Sequence, residues 1–136
     1  LNELGFLYSS SMRGDDIPYY TVLDGKETDL VEIPSKWELD DYVAQAYSVY
    51  PAEPAGLDRI SCYRNVQDND LREFRGYYDM GLCIAFLMHP QISGAPGRNL
   101  VLEEVLKEVT SHKDVWVATG SEVAEYWRKA HPRKED

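Results

Sequence analysis

Seven consecutive apolar residues, Leu82 to Met88, stop abruptly at His89-Pro90. Such a run is far short of the roughly 20 residues that cross a bilayer, and it lacks the alternation of a half-exposed strand. It predicts a strand buried on both faces, the pattern of parallel sheets covered by helices. Before it, Asn69 to Met80 places Leu71, Phe74, Tyr77 and Tyr78 at helical spacing, with Gly81 where a helix C-cap wants glycine. After it, Ser93 to Gly97 has the turn chemistry of a loop, and Asn99 is placed to cap a helix whose inward face is Leu102, Val105, Leu106 and Val109. Asp114 to Ala118 reads as a second short strand. Thr119-x-x-Glu122 is a capping-box pattern that opens a last helix with Val123 and Trp127 inward.

A strand, a crossover helix and a second strand almost always form a right-handed parallel unit. Ligands gather at the C-terminal ends of such strands, which here carry His89 and the Thr119 turn. In the first half, Leu30 to Ile33 is expected to be a strand, with Pro34 and Trp37 beyond its end, and Phe6 to Ser9 is a further candidate. Asp40 to Tyr50 is expected to be partly helical and Pro51 to Ile60 a loop. Three or four strands are too few to close an eight-stranded barrel. Either the sheet is open or the remainder lies on another polypeptide. The chain starts at Leu1, and Gly5 to Tyr8 already reads as fold interior, so an upstream segment is expected.

The length of 136 residues, 43% of them apolar, suits one hydrophobic core. A net charge of −10 repels phosphate backbones and anionic lipid alike, which argues against nucleic acid or membrane as partners. No signal peptide is expected. Of the two cysteines, Cys83 lies in the apolar run, where a thiol behaves as a small hydrophobe, so a reduced, cytoplasmic setting is expected.

His89 is the foremost candidate for chemistry, because it follows the expected strand directly and an imidazole can exchange protons near neutral pH. The competing assignment is a histidine that only shapes the Pro90 turn. Asp40 and Asp41 lie past the end of another strand, and a carboxylate bonded to an imidazole would fix its tautomer. Adjacent acids on a loop are more often simply solvated. His89, His112 and His131 are too widely separated for a local metal-binding pair, and the last two fall near helix C-termini. There is no phosphate-binding glycine loop and no serine nucleophile elbow.

Four segments together, Gly5 to Tyr19, Leu30 to Tyr42, Phe86 to Gly94 and Asp114 to Glu122, resemble the C-terminal half of the polysaccharide deacetylase family, the NodB-homology domain. The resemblance implies an α/β fold, a partial (β/α) barrel forming the C-terminal half of a distorted TIM-like barrel over residues 1–136. It implies a metal-dependent hydrolase of amide C–N bonds, acting on an N-acetyl sugar or on a small amide such as a cyclic ureide. His89 matches the family's proton-donating histidine, and Asp40 and Asp41 match the acidic motif that orients it. Trp37, Asp15, Asp16, Tyr19 and Arg98 are the expected substrate-binding residues. The family's divalent metal, usually zinc, is held by residues of an N-terminal half that has no counterpart here, so no metal ligand is assigned to this chain.

Ser9 and Ala95 stand where related sequences usually carry Asp and Arg. The implied partners are the N-terminal half, from the same gene or a separate chain, and further copies of this chain. The alternative is a non-catalytic, truncated relic that acts only by self-association through an open sheet edge.

Overall fold

The structure, a computed structural model, describes residues 1–45 and 61–133. The chain divides into two compact units, one built from Leu1–Ser35, Gly81–Ala85 and the chain from Trp116 onward, the other from Lys36–Met80 and Phe86–Val115.

The first unit is an α/β arrangement around a three-stranded sheet. Strands β1 (Tyr8–Ser9), β2 (Tyr19–Leu23) and β3 (Lys26–Glu32) lie in the order β1-β3-β2. β1 runs parallel to β3 with Tyr8 opposite Val31 and Ser9 opposite Glu32. β2 and β3 form an antiparallel hairpin with Leu23 opposite Lys26. Its two-residue turn needs positive φ at both centres, and Asp24 (50°) and Gly25 (79°) supply it. Leu30 and Val31 are both buried, so the end of β3 is covered on both faces. The helix of this unit, α5 (Gly120–Ala130), opens with the expected capping box between Thr119 and Glu122. Gly120 lies against the Tyr8 ring, where a Cβ would come within 2.4 Å, so a larger residue there would require the ring to shift. Near the other end of α5, Arg128 donates to the Asp29 carbonyl, and Arg133 pairs with the Asp29 carboxylate at 2.6 Å.

The second unit is helical. A 3-10 turn (Trp37–Leu39) leads into α1 (Asp41–Gln45), followed by α2 (Tyr63–Met80), α3 (Pro90–Ser93) and α4 (Pro96–Ser111). Helices α2 and α4 pack together, burying Val66 and Phe74 of one and Val101 and Val105 of the other. Gly81 follows α2 with φ 67°, the left-handed cap that its position suggests. Among the described residues, no helix is long and apolar enough to cross a membrane.

Several expectations need correction. Leu82 to Met88 and Asp114 to Ala118 are not ladder strands, because a strand exists only where a neighbour exchanges backbone bonds with it. In the first unit Cys83 N–H donates to the Asp16 carbonyl, and in the second Leu87 forms one isolated parallel bridge with Asp40. The parallel pair actually present is β1 with β3, and the strand–helix–strand unit is not formed among the described residues.

Helix α4 begins at Pro96, where φ is preset and no N–H is lost, so Ala95 and not Asn99 is its N-cap. Its buried side chains are Val101 and Val105, while Leu106 is 47% exposed. In α5 it is Ala124 that is fully buried, with Val123 and Trp127 half-buried. The second half of the Asp40 to Tyr50 expectation, and the Pro51 to Ile60 loop, lie outside the described residues.

Candidate active site

Two short segments of the second unit make the site. Leu87 N–H donates to the Leu39 carbonyl at 2.9 Å, and Asp41 N–H donates to the Leu87 carbonyl at 3.1 Å. That pairing draws Asp41, the first residue of α1, alongside His89, the N-cap residue of α3. The carboxylate of Asp41 then serves the start of α3, taking up His89 N–H, which lies outside the helical ladder, and sharing Ser93 N–H with the His89 carbonyl, which accepts it at 3.0 Å. It accepts from His89 N–H at 3.0 and 3.1 Å and from Ser93 N–H at 3.2 Å. Ser93 Oγ–H donates to Asp41 Oδ2 as well.

The fourth donor is the imidazole. His89 Nδ1 lies 2.6 Å from Asp41 Oδ1 and 3.8 Å from the nearer oxygen of Asp40, which itself accepts from Tyr42 N–H. Asp41 is 4% exposed and Asp40 7%, so neither is the solvated loop acid that adjacent aspartates usually are. Burial works against the charge of Asp41. The Ser93 hydroxyl, the His89 N–H and the His89 ring outweigh it and hold the carboxyl below its usual 3.8. An ionised, buried Asp41 fixes the tautomer of His89 with Nδ1 as donor, which leaves Nε2 as the atom able to pass a proton. The imidazole keeps 32% exposure, so it is reachable from solvent, and the Tyr42 ring stands 5.4 Å from it.

Asp40, Asp41 and His89 are also the one group of three potential metal ligands among the described residues, with candidate atoms within 4.8 Å of one another. Sequence spacing could not reveal it, since the bridge at Leu87 creates it. The donor set nevertheless does not fit a metal centre. Both Asp41 oxygens are occupied by protein donors, and Nδ1 of His89 directs its proton at one of them.

Two residues of this site escaped the sequence reading. Ser93 stands four positions after His89, and the proline-started turn of α3 brings its N–H and hydroxyl back to Asp41. Asp70, 9% exposed on α2, has its carboxyl pushed up to about 6 by burial and by the charges of Asp41 and Glu73, against a hydrogen bond from Asn69. Its only sequence signal is its spacing, four residues from both Val66 and Phe74 on the buried face.

The other candidates are placed as follows. Trp37 opens the 3-10 turn and is 57% exposed. Arg98, in the first turn of α4, is half-buried, and its Nε has no acceptor among the described residues. Asp15, Asp16 and Tyr19 belong to the first unit. There Asp15 accepts from Asp16 N–H, and the Tyr19 hydroxyl accepts from Gly14 N–H at 3.3 Å.

No family model matches the chain. It is 28% identical to the peptidoglycan deacetylase of Helicobacter pylori, with 98% of this chain and 54% of that protein covered. A crystal structure from Mycobacterium smegmatis, described as that of a polysaccharide deacetylase, is 34% identical with TM-score 0.82, over 99% of this chain and 46% of that one. An allantoinase structure shares the fold, with TM-score 0.75 at 22% identity, over 98% of this chain and 42% of that one. The chain thus spans about half the length of the proteins it matches.

Proposed function

Since this chain is a relative of the polysaccharide deacetylases over nearly all its residues, we propose that it forms the C-terminal half of a metal-dependent hydrolase of amide C–N bonds. The observation that carries the reading is the 2.6 Å contact of His89 Nδ1 with a buried carboxylate that three further donors hold in place. An amide nitrogen leaves readily only when protonated, and His89 Nε2 is the group able to deliver that proton. Asp41 holds the ring, Ser93 holds Asp41, and Asp40 adds negative charge at 3.8 Å. The divalent metal implied by the resemblance, zinc, does not fit these residues, and we place its ligands in the complementary half. The substrate is a small amide or an N-acetyl sugar. Trp37, Asp15, Asp16, Tyr19 and Arg98 are the residues we propose to contact it, and the whole barrel is the fold we propose for the completed protein.

The test uses this chain joined to, or mixed with, the complementary half. His89→Ala is expected to lower turnover by about a hundredfold or more with metal content unchanged, since acid catalysis and not ligation is removed. Near-normal turnover, or loss of the metal, overturns the reading. A second reading, a non-catalytic relic that self-associates, is favoured by the exposed Leu4, Phe6, Trp116 and Val117 of the first unit. It predicts oligomers in light scattering and no turnover whichever half is added.

A further inference from the structure

Within the first unit, β1 and β3 run parallel, so Ser9 and Glu32 sit side by side at their C-terminal ends, the end where β/α folds gather ligands. The loop leaving β1 there, from Ser10 to Asp16, is held at every stage. Glu32 is fully buried, and its Oε1 accepts from Ser11 N–H at 2.5 Å and Met12 N–H at 2.7 Å. The Met12 carbonyl accepts from Ser35 N–H at 3.1 Å, and the Asp16 carbonyl from Cys83 N–H at 3.1 Å. In the middle, Gly14 is pressed against Tyr19, where a Cβ would lie 2.9 Å from the hydroxyl oxygen.

Glu32 is an expensive residue for a structural position. Its Oε2 is buried with no partner among the described residues, and a buried, unmet acceptor is destabilising. An apolar side chain would fill the same space without that cost, but it would strand the two loop N–H groups. What the carboxylate secures is therefore the loop and not the core.

We propose that Glu32 is a positioning residue for substrate recognition: its carboxylate fixes the Ser10 to Asp16 loop so that Asp15 and Asp16 meet a hydroxylated or amide-bearing small molecule without first ordering the backbone. This rests on the proposed function, in which that loop contacts substrate. Glu32 touches no substrate itself. A preorganised loop lowers the ordering entropy of binding, so its loss appears in KM and not in the chemical step.

The test has two arms. In the full chain, amide exchange at Ser11 and Met12 is followed by NMR, with Val105 as an internal control in the other unit. Glu32→Ala is expected to speed exchange at both amides about tenfold or more, leaving Val105 unchanged. Should Glu32→Ala not fold, Glu32→Gln serves instead. Its neutral oxygen is a weaker acceptor, so both amides exchange several-fold faster than in the parent. Unchanged exchange in a folded variant overturns the anchor. In the enzyme completed with its other half, Glu32→Gln is expected to raise KM about tenfold while kcat stays within about twofold. A fall in kcat with KM unmoved overturns the recognition role. Because exchange is read without catalysis, an inactive enzyme with the expected exchange would count against the proposed function and not against the anchor.

Discussion

Asp41 and Asp70 are both nearly buried carboxyls of the helical unit, and their environments push them in opposite directions. Asp41 meets two backbone N–H groups, a hydroxyl and an imidazole, and stays below 3.8 although burial opposes its charge. Asp70 meets a hydrogen bond from Asn69 and the repulsion of two other acids, and rises to about 6. Burial alone therefore does not decide the charge of a carboxyl; the number of donors aimed at it does. A site whose acids are driven apart in this way can hold one charged while another stays close to its protonation midpoint, the arrangement that acid–base chemistry requires.

Breaking the Asp41 side of this contrast should have the largest effect. Asp41→Ala strands the His89 N–H, leaves Ser93 N–H with only its bond to the His89 carbonyl and the Ser93 hydroxyl with only a weak sulfur acceptor, and is expected to cost about 3 kcal/mol in urea unfolding at pH 7. The sign with pH follows from its depressed pKa. The unfolded chain takes up the proton first, so the Asp41 contribution is full above about 3.8 and is lost as pH falls through the lower folded value. The penalty for Asp41→Ala should accordingly shrink in strong acid. Removing the Asp41 charge should also move Asp70 downward, toward its ordinary value, in an NMR titration. An unmoved Asp70 would mean that the two carboxyls do not interact.

Asp70→Asn tests the other side, with a smaller effect of opposite sign. A carboxyl whose folded pKa exceeds its unfolded value binds more protons when folded, so stability falls as pH rises from about 4 to about 6. The ionised side chain is then a standing cost at neutral pH. Asp70→Asn is expected to stabilise the protein at pH 7.5 by about 1 kcal/mol, after allowing for solvent screening, and to change little at pH 3.5. Destabilisation at pH 7.5 would show that the Asn69 hydrogen bond outweighs the cost of the buried charge.

The contrast between these carboxyls also marks where the sequence stops being legible. Helices α2, α4 and α5 could be read from apolar spacing, from Gly81 and from Thr119-x-x-Glu122, because each signal is local. The hairpin also has a local signal, Asp24-Gly25 between its two strands, which neither Leu30 to Ile33 nor Phe6 to Ser9 reveals. Leu82 to Met88 misled for a physical reason: apolar continuity reports a tendency to be buried, whereas strand identity needs a neighbour. His89 and the Asp40/Asp41 pair were singled out, but their contact depends on one bridge between residues 40 and 87, and no periodicity encodes that. Ser93, Asp70 and Glu32 remained hidden for the same reason, since each gains its meaning from a distant backbone segment.

The smallest effect concerns Glu122, which repeats the chemistry of Asp41 at the surface. Its carboxyl lies below its usual 4.5, first because Thr119 N–H donates to it at 2.7 Å and then because the Thr119 hydroxyl does so at 2.8 Å. In return, Thr119 Oγ1 accepts from Glu122 N–H at 3.3 Å. Thr119→Ala removes the hydroxyl and should cost about 0.5 kcal/mol by urea unfolding, and Thr119→Ser should recover most of it. Alanine keeps its backbone N–H, however, and that is the main cause of the depressed Glu122 pKa. A depressed acid contributes above its unfolded pKa and fails below it, so α5 should keep its acid sensitivity below about pH 4.5 in Thr119→Ala. If that sensitivity vanished with the hydroxyl, the backbone bond would not be what holds Glu122 charged, and the parallel with Asp41, whose backbone donors come from α3, would break down.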